Sequence, residues 1–130
     1  MLQARVAVQP GFAGELIVVL LAEEQAEQAW RVGVEHVDQL SESQFLKLLE
    51  IRQASHPGDV LVHYATLIDR HLHDTRHKHR YRRAFSLLPG LRAAYLALGD
   101  PDRFDHCLHQ LRFDHQRRPT FLAQLEAAGL

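Results

Sequence analysis

Apolar residues recur at three-and-four spacing along most of this chain, and proline or glycine interrupts the pattern every few helical turns. No other feature constrains the fold as much. One apolar stripe per segment requires helices that bury a face, and the interruptions require those helices to turn back on one another. From Gly14 onward, Leu16, Val19 and Leu20 share a helical face, and the run 23–30 is rich in strong helix formers. These patterns predict helices over about 13–22 and 24–36, either separate or continuous. Ala22, Ala26, Ala29, Trp30 and Gly33 form a narrow face of small residues around one large one, suited to close approach by another helix.

The punctuation sets the later boundaries. Ser41 and Gln44 have the spacing of a capping box, ahead of a helix carrying Phe45, Leu48, Leu49 and Ile51 to about Ala54. Pro57 suits the first turn of the next helix, whose core side is Val60, Leu61, Tyr64, Leu67, Ile68 and Leu72. Asp74 or Thr75 is expected to cap a long helix with Tyr81, Ala84, Phe85, Leu88, Leu91, Tyr95 and Leu98 buried. The apolar phase continues across Pro89-Gly90, which favours a kink there over two helices. Gly99 ends that helix and Asp100-Pro101 opens another, with Phe104, Leu108 and Leu111 facing inward. After Arg118-Pro119 a short helix carries Phe121, Leu122 and Leu125 and stops near Gly129.

The expected fold class is therefore all-α: six to seven antiparallel helices forming stacked helical hairpins, either a tetratricopeptide-like solenoid or an irregular bundle. Residues 1–12 are expected to be a tail or short extension, and 13–130 a single helical domain. A length of 130 residues is enough for one core. A faint repeat supports stacking, because Val60, Tyr64, Leu67 and His71 match Phe104, Leu108, Leu111 and His115 in position after Pro57 and Pro101.

Composition narrows function mainly by exclusion. The formal net charge of −1 gives no global field toward nucleic acid or anionic membrane. Cys107 is the single cysteine, which rules out an intramolecular disulfide and fits a reducing, cytoplasmic setting. The longest apolar run, 16–22, is far short of the ~20 residues of a spanning helix, so no membrane association is expected. The Met1 start and the Gly129-Leu130 end lean toward a whole protein.

From about Leu46 the chain resembles the C-terminal helical region of bacterial SWIM zinc-finger proteins. The residues carrying this are Leu49-Glu50-Ile51-Arg52, His56-Pro57 and the Tyr64 helix; Tyr81-Arg82-Arg83-Ala84 leading to the stretch 91–99; and Phe104, Leu111-Arg112, His115 and the stretch 117–122. The resemblance implies a tetratricopeptide-like helical interaction module. That family's zinc site is Cys-x-Cys followed by Cys-x-His. It is absent here, so neither zinc nor the finger's DNA function carries over. Pro89-Gly90 departs from the unbroken helix the family would have.

Three constellations could carry chemistry. Ten histidines include His71, His73, His77 and His79; on a helix, His73 and His77 would share a face and could chelate a metal. The other reading of that stretch is a solvated polar segment between helices, with no metal and no other cofactor. Cys107 beside His106 and His109 has the composition of a thiolate site, but it adjoins the Phe104–Leu108–Leu111 face, where a free cysteine most often behaves as a small buried hydrophobe. Arg70, Arg76, Lys78, Arg80, Arg82 and Arg83 form a basic stretch, offset by Asp69 and Asp74 and interleaved by Tyr81. Residues 15–50 are the reverse: Glu15, Glu23, Glu24, Glu27, Glu35, Asp38, Glu42 and Glu50 stand against Arg31 and Lys47.

No phosphate-binding glycine loop, nucleophile elbow or His-Glu-x-x-His occurs, and no carboxylate pair can be nominated as acid and base. The expected function is non-enzymatic: an interaction module for an unknown protein partner, with Arg52, His56, His63, Arg80, Arg83 and Arg92 as further surface candidates. The alternatives are a nucleic-acid accessory using the stretch 70–83 and a His-rich metal-binding protein. Opposed charges in the two halves would align helices within the chain or steer self-association as a homodimer.

Overall fold

The computed structural model describes residues 12–130, and nearly all of the expected tail over 1–12 lies outside them. Every regular element among the described residues is helical, and none is long and apolar enough to cross a membrane. The helices are α1 (Ala13–Ala22), α2 (Ala26–Glu35), α3 (Glu42–Ser55), α4 (Leu61–His73), α5 (Arg80–Phe85), α6 (Leu88–Ala97), α7 (Pro101–Asp114) and α8 (Pro119–Ala127), with 3-10 turns at Val37–Gln39 and Pro57–Val60. The chain divides into two compact units with the boundary between Ser55 and His56.

In the first unit a tight turn folds α2 back on α1. Glu24 N–H donates to Leu21 O at 3.1 Å and Gln25 N–H to Leu20 O at 2.8 Å, which ties off the last carbonyls of α1. The turn needs a left-handed residue, and Glu24 supplies it at φ 58°. Ala22 and Ala26 are exposed, so the small-residue face reduces to Ala29 and Gly33. At Gly33 the missing Cβ is what admits the Leu48 side chain of α3. The capping box forms as expected: Gln44 N–H donates to Ser41 Oγ at 3.1 Å, and Ser41 N–H to Gln44 Oε1 at 2.9 Å. Leu20, Leu48 and Leu49 are fully buried here, and burial of each contributes about 1.5–3 kcal/mol.

In the second unit α4 packs against α5 and α6, α6 against α7, and α5 against α8. Pro57, Pro101 and Pro119 all stand in first turns, where a missing N–H is not needed. Gly99 at φ 72° and Gly129 at φ 82° close α6 and α8 with the same pair of hydrogen bonds that Glu24 makes.

Two boundaries differ from expectation. Asp74 and Thr75 do not cap a long helix. Residues 74–79 form turns, with His77 N–H donating to Asp74 O at 2.9 Å and His79 N–H to His77 Nδ1 at 3.0 Å, and α5 begins only at Arg80. The expected kink at Pro89 is instead a break. α5 ends at Phe85, and Pro89 falls in the first turn of α6, where its ring and absent donor cost nothing. Gly90 is then required by close approach: a Cβ there would lie 2.7 Å from the Tyr64 ring.

Candidate functional site

The six basic residues nominated from sequence lie on three segments: Arg70 is in the last turn of α4, Arg76 and Lys78 are in the turns, and Arg80, Arg82 and Arg83 are on α5. What the fold assembles is a cleft of about 590 Å³ in the second unit. Lys78, His79 and Arg82 bring positive or ionisable groups to it; Phe85, Pro89, Ala127 and Ala128 make its apolar surface; Ser86 and Gln124 add neutral hydrogen-bonding groups. Among the described residues neither Lys78 nor Arg82 has a carboxylate partner. The α8 contribution to this cleft was not visible in the sequence, because nothing in Gln124, Ala127 or Ala128 marks them apart from an ordinary helix end.

A second cluster surrounds Phe121, which is fully buried. The Tyr81 and Phe85 rings meet it edge-on at 5.2 and 5.0 Å, and His115 stacks on it at 4.0 Å. Arg80 donates through Nη2 to the Tyr81 phenol oxygen at 3.0 Å and lies over the Tyr81 ring at 4.8 Å. Burial raises the Tyr81 pKa, but the Arg80 hydrogen bond and the positive charges of Arg80 and Arg118 outweigh it, and the phenol sits below its ordinary value. Burial lowers the His115 pKa, and the positive charges of Arg118, His73 and Arg80 push the same way against Asp114. His115 Nδ1 is buried and has no hydrogen-bond partner.

The histidine stretch is dismantled by the fold. α4 ends at His73, so His73 and His77 do not share a helical face. His71 points inward and is 6% exposed, while His73 is exposed and pairs with Asp69, its Nδ1 3.3 Å from Oδ1. Among the described residues no group of three or more His, Cys, Asp or Glu side chains could hold a metal ion.

Cys107 is half-buried on α7, its Sγ 3.8 Å from the Tyr95 hydroxyl. Burial and the adjacent thiol push the Tyr95 phenol above its ordinary pKa, against the charge of Arg103. Cys107 and His106 both line an apolar groove of about 280 Å³ with Ile68, Leu72, Leu88, Leu91 and Leu111. His109 is exposed and is not among the residues lining it.

Of the other surface candidates, Arg52 belongs to the packing of the first unit. It donates to Glu27 and lies over the Trp30 ring at 5.2 Å, with its side chain 11% exposed. Arg92 lies 6.0 Å from the Phe104 ring, His56 and Arg83 are exposed, and His63 is half-buried. Burial lowers the His63 pKa against the opposing charge of Asp59. Compared with known proteins, the chain matches no family model, no curated protein and no solved structure.

Proposed function

We propose that the second unit is a non-enzymatic protein-interaction module that docks an acidic peptide segment with an apolar anchor in the cleft between residues 78–89 and α8. The observation that carries this reading is the cleft itself. Lys78 and Arg82 bring two cations without carboxylate partners to a surface shared with Phe85, Pro89 and the α8 alanines. A cation left unpaired beside apolar surface attracts a carboxylate, and the apolar residues reward a side chain inserted next to it. The volume of about 590 Å³ falls in the range of clefts that hold a ligand or a few peptide side chains. The resemblance of 46–130 to a helical interaction region agrees with this reading, and the opposite charge of residues 15–50 makes a second copy of the chain one source of such a segment.

Selection from a displayed random peptide library tests the proposal. It predicts enrichment of sequences pairing Asp or Glu with a large apolar residue, and loss of that enrichment with the K78E/R82E double variant. Retention of the same sequences by K78E/R82E overturns it. Binding of RNA or DNA at low salt in preference to any peptide would replace it with the nucleic-acid reading, whose phosphate contacts weaken steeply as salt rises.

A further inference from the structure

In the second unit α4 and α7 both pack against α6, and more closely against it than against one another. The apolar groove of about 280 Å³ that holds Cys107 draws its lining from these three helices. α6 supplies Leu88 and Leu91, α4 supplies Ala65, Ile68 and Leu72, and α7 supplies Cys107 and Leu111. Apolar surface gathered in a concavity favours a ligand whose hydrocarbon displaces water from it.

The charged residues lining the groove are Asp69 of α4 and Asp114 of α7; its other polar residues are His106 and Gln110, and no lysine or arginine is among them. Each carboxylate uses one oxygen inside the chain. His73 Nδ1 lies 3.3 Å from Asp69 Oδ1, and Gln110 Nε2 donates to Asp114 Oδ1 at 2.9 Å. Among the described residues the two Oδ2 atoms accept no hydrogen bond, and both side chains are exposed, so a ligand can reach them. Leu72, Leu111 and Asp114 belong to the last turns of α4 and α7, where the helix dipoles place negative partial charge. Arg70, His73 and Arg112 stand in the same two turns but do not line the groove.

We infer that this groove binds a small organic cation, an ammonium or amidinium group carried on an apolar body. The hydrocarbon lies on the leucine, isoleucine and cysteine side chains, and the charged head meets Asp69 and Asp114. The volume is close to the ~300 Å³ at which ligand pockets begin, which suits one small molecule. The groove shares no lining residue with the cleft of the proposed function and selects the opposite charge, so the two sites stand or fall separately.

Titration of the full chain with three probes of equal length tests the inference: hexylamine, 1-hexanol and hexanoate, at pH 8, where an alkylammonium is charged. Isoleucine methyl NMR shifts give the readout. Ile68 lines the groove, whereas Ile17 and Ile51 belong to the first unit and line no part of it. A saturable shift at Ile68 without one at Ile17 or Ile51 is expected, with hexylamine about fivefold tighter than hexanol, as an exposed ion pair gives, and hexanoate weakest. D69N/D114N should bring hexylamine down to the affinity of hexanol and leave hexanol binding unchanged, which separates lost charge from a folding defect. No saturable shift at Ile68, equal affinity of the native chain for hexylamine and hexanol, or an amine preference that survives in D69N/D114N overturns the inference.

Discussion

The cleft of the second unit treats its cations differently from the helix contacts of the first. In the first, Arg31 and Arg52 share the carboxylate of Glu27, with Arg31 Nε 3.7 Å from Oε1, and Arg52 also lies over Trp30. In the second, Arg103 is used in the same way, its Nε 3.7 Å from Asp100 Oδ2 and its guanidinium over the Tyr95 ring at 5.7 Å, but Lys78 and Arg82 stand in a cleft with no carboxylate partner among the described residues. A cation with a carboxylate and an aromatic ring beneath it is spent on the fold. A cation beside apolar surface without either is available to a ligand. The difference also explains why runs of basic residues in the sequence are poor guides to a site: partners from distant segments decide which ones are free.

Several substitutions sharpen or break this contrast. The largest effect is expected at the close approaches. Gly90→Ala drives a methyl into the rigid Tyr64 ring and should cost about 2–3 kcal/mol in chemical denaturation, whereas Gly33→Ala meets the flexible end of Leu48 and should cost about 1 kcal/mol. Equal costs would show that both sites repack alike. Next, Glu27→Ala should destabilise by about 1 kcal/mol, discounted because Glu27 is half-exposed, while Arg82→Ala should change stability by less than about 0.5 kcal/mol. A larger loss from Arg82→Ala would mean that it is structural after all.

The third prediction concerns acid. The folded-state pKa of His115 is lowered below 6.5 by burial and by Arg118, His73 and Arg80, so the unfolded chain takes up its proton first. Above pH 6.5 both states carry neutral imidazole and the group has no effect. As pH falls below 6.5 toward the folded pKa, stability is lost, and His115→Gln should flatten that part of the thermal-denaturation profile. The smallest effect is at the α1–α2 turn. Glu24→Gly should stabilise by about 0.5–1 kcal/mol by relieving a left-handed glutamate, while Gly99→Ala, the reverse change at the matching turn, should destabilise by about 1 kcal/mol.

The helical boundaries were legible wherever a local chemical device sets them. Ser41 with Gln44, Pro57, Gly99 with Pro101, and Pro119 each act within a few residues, and their positions follow from backbone hydrogen bonding alone. The break before Leu88 was not legible. A proline in a first turn and a proline at a kink look the same when the apolar phase runs through both, as it does from Phe85 through Leu88 to Leu91. The turns at 74–79 were hidden for a similar reason, since Asp74 and Thr75 suit a turn as well as a cap. Lys78 and Arg82 could be nominated from their charge. Gln124 and Ala127 could not, because each joins the cleft only through the packing of α8.

On the proposed reading, unpaired cations of the second unit, and not charge in general, make its binding surface. The most direct test is the affinity of one selected acidic, apolar-anchored peptide for the native chain, for K78E/R82E and for R31E, measured by fluorescence anisotropy at a single salt concentration. The account predicts loss of binding by about two orders of magnitude in K78E/R82E, as expected when two attractive contacts become repulsive, and native affinity in R31E. Equal weakening in the two variants would contradict it, because binding would then follow net charge and not the cleft.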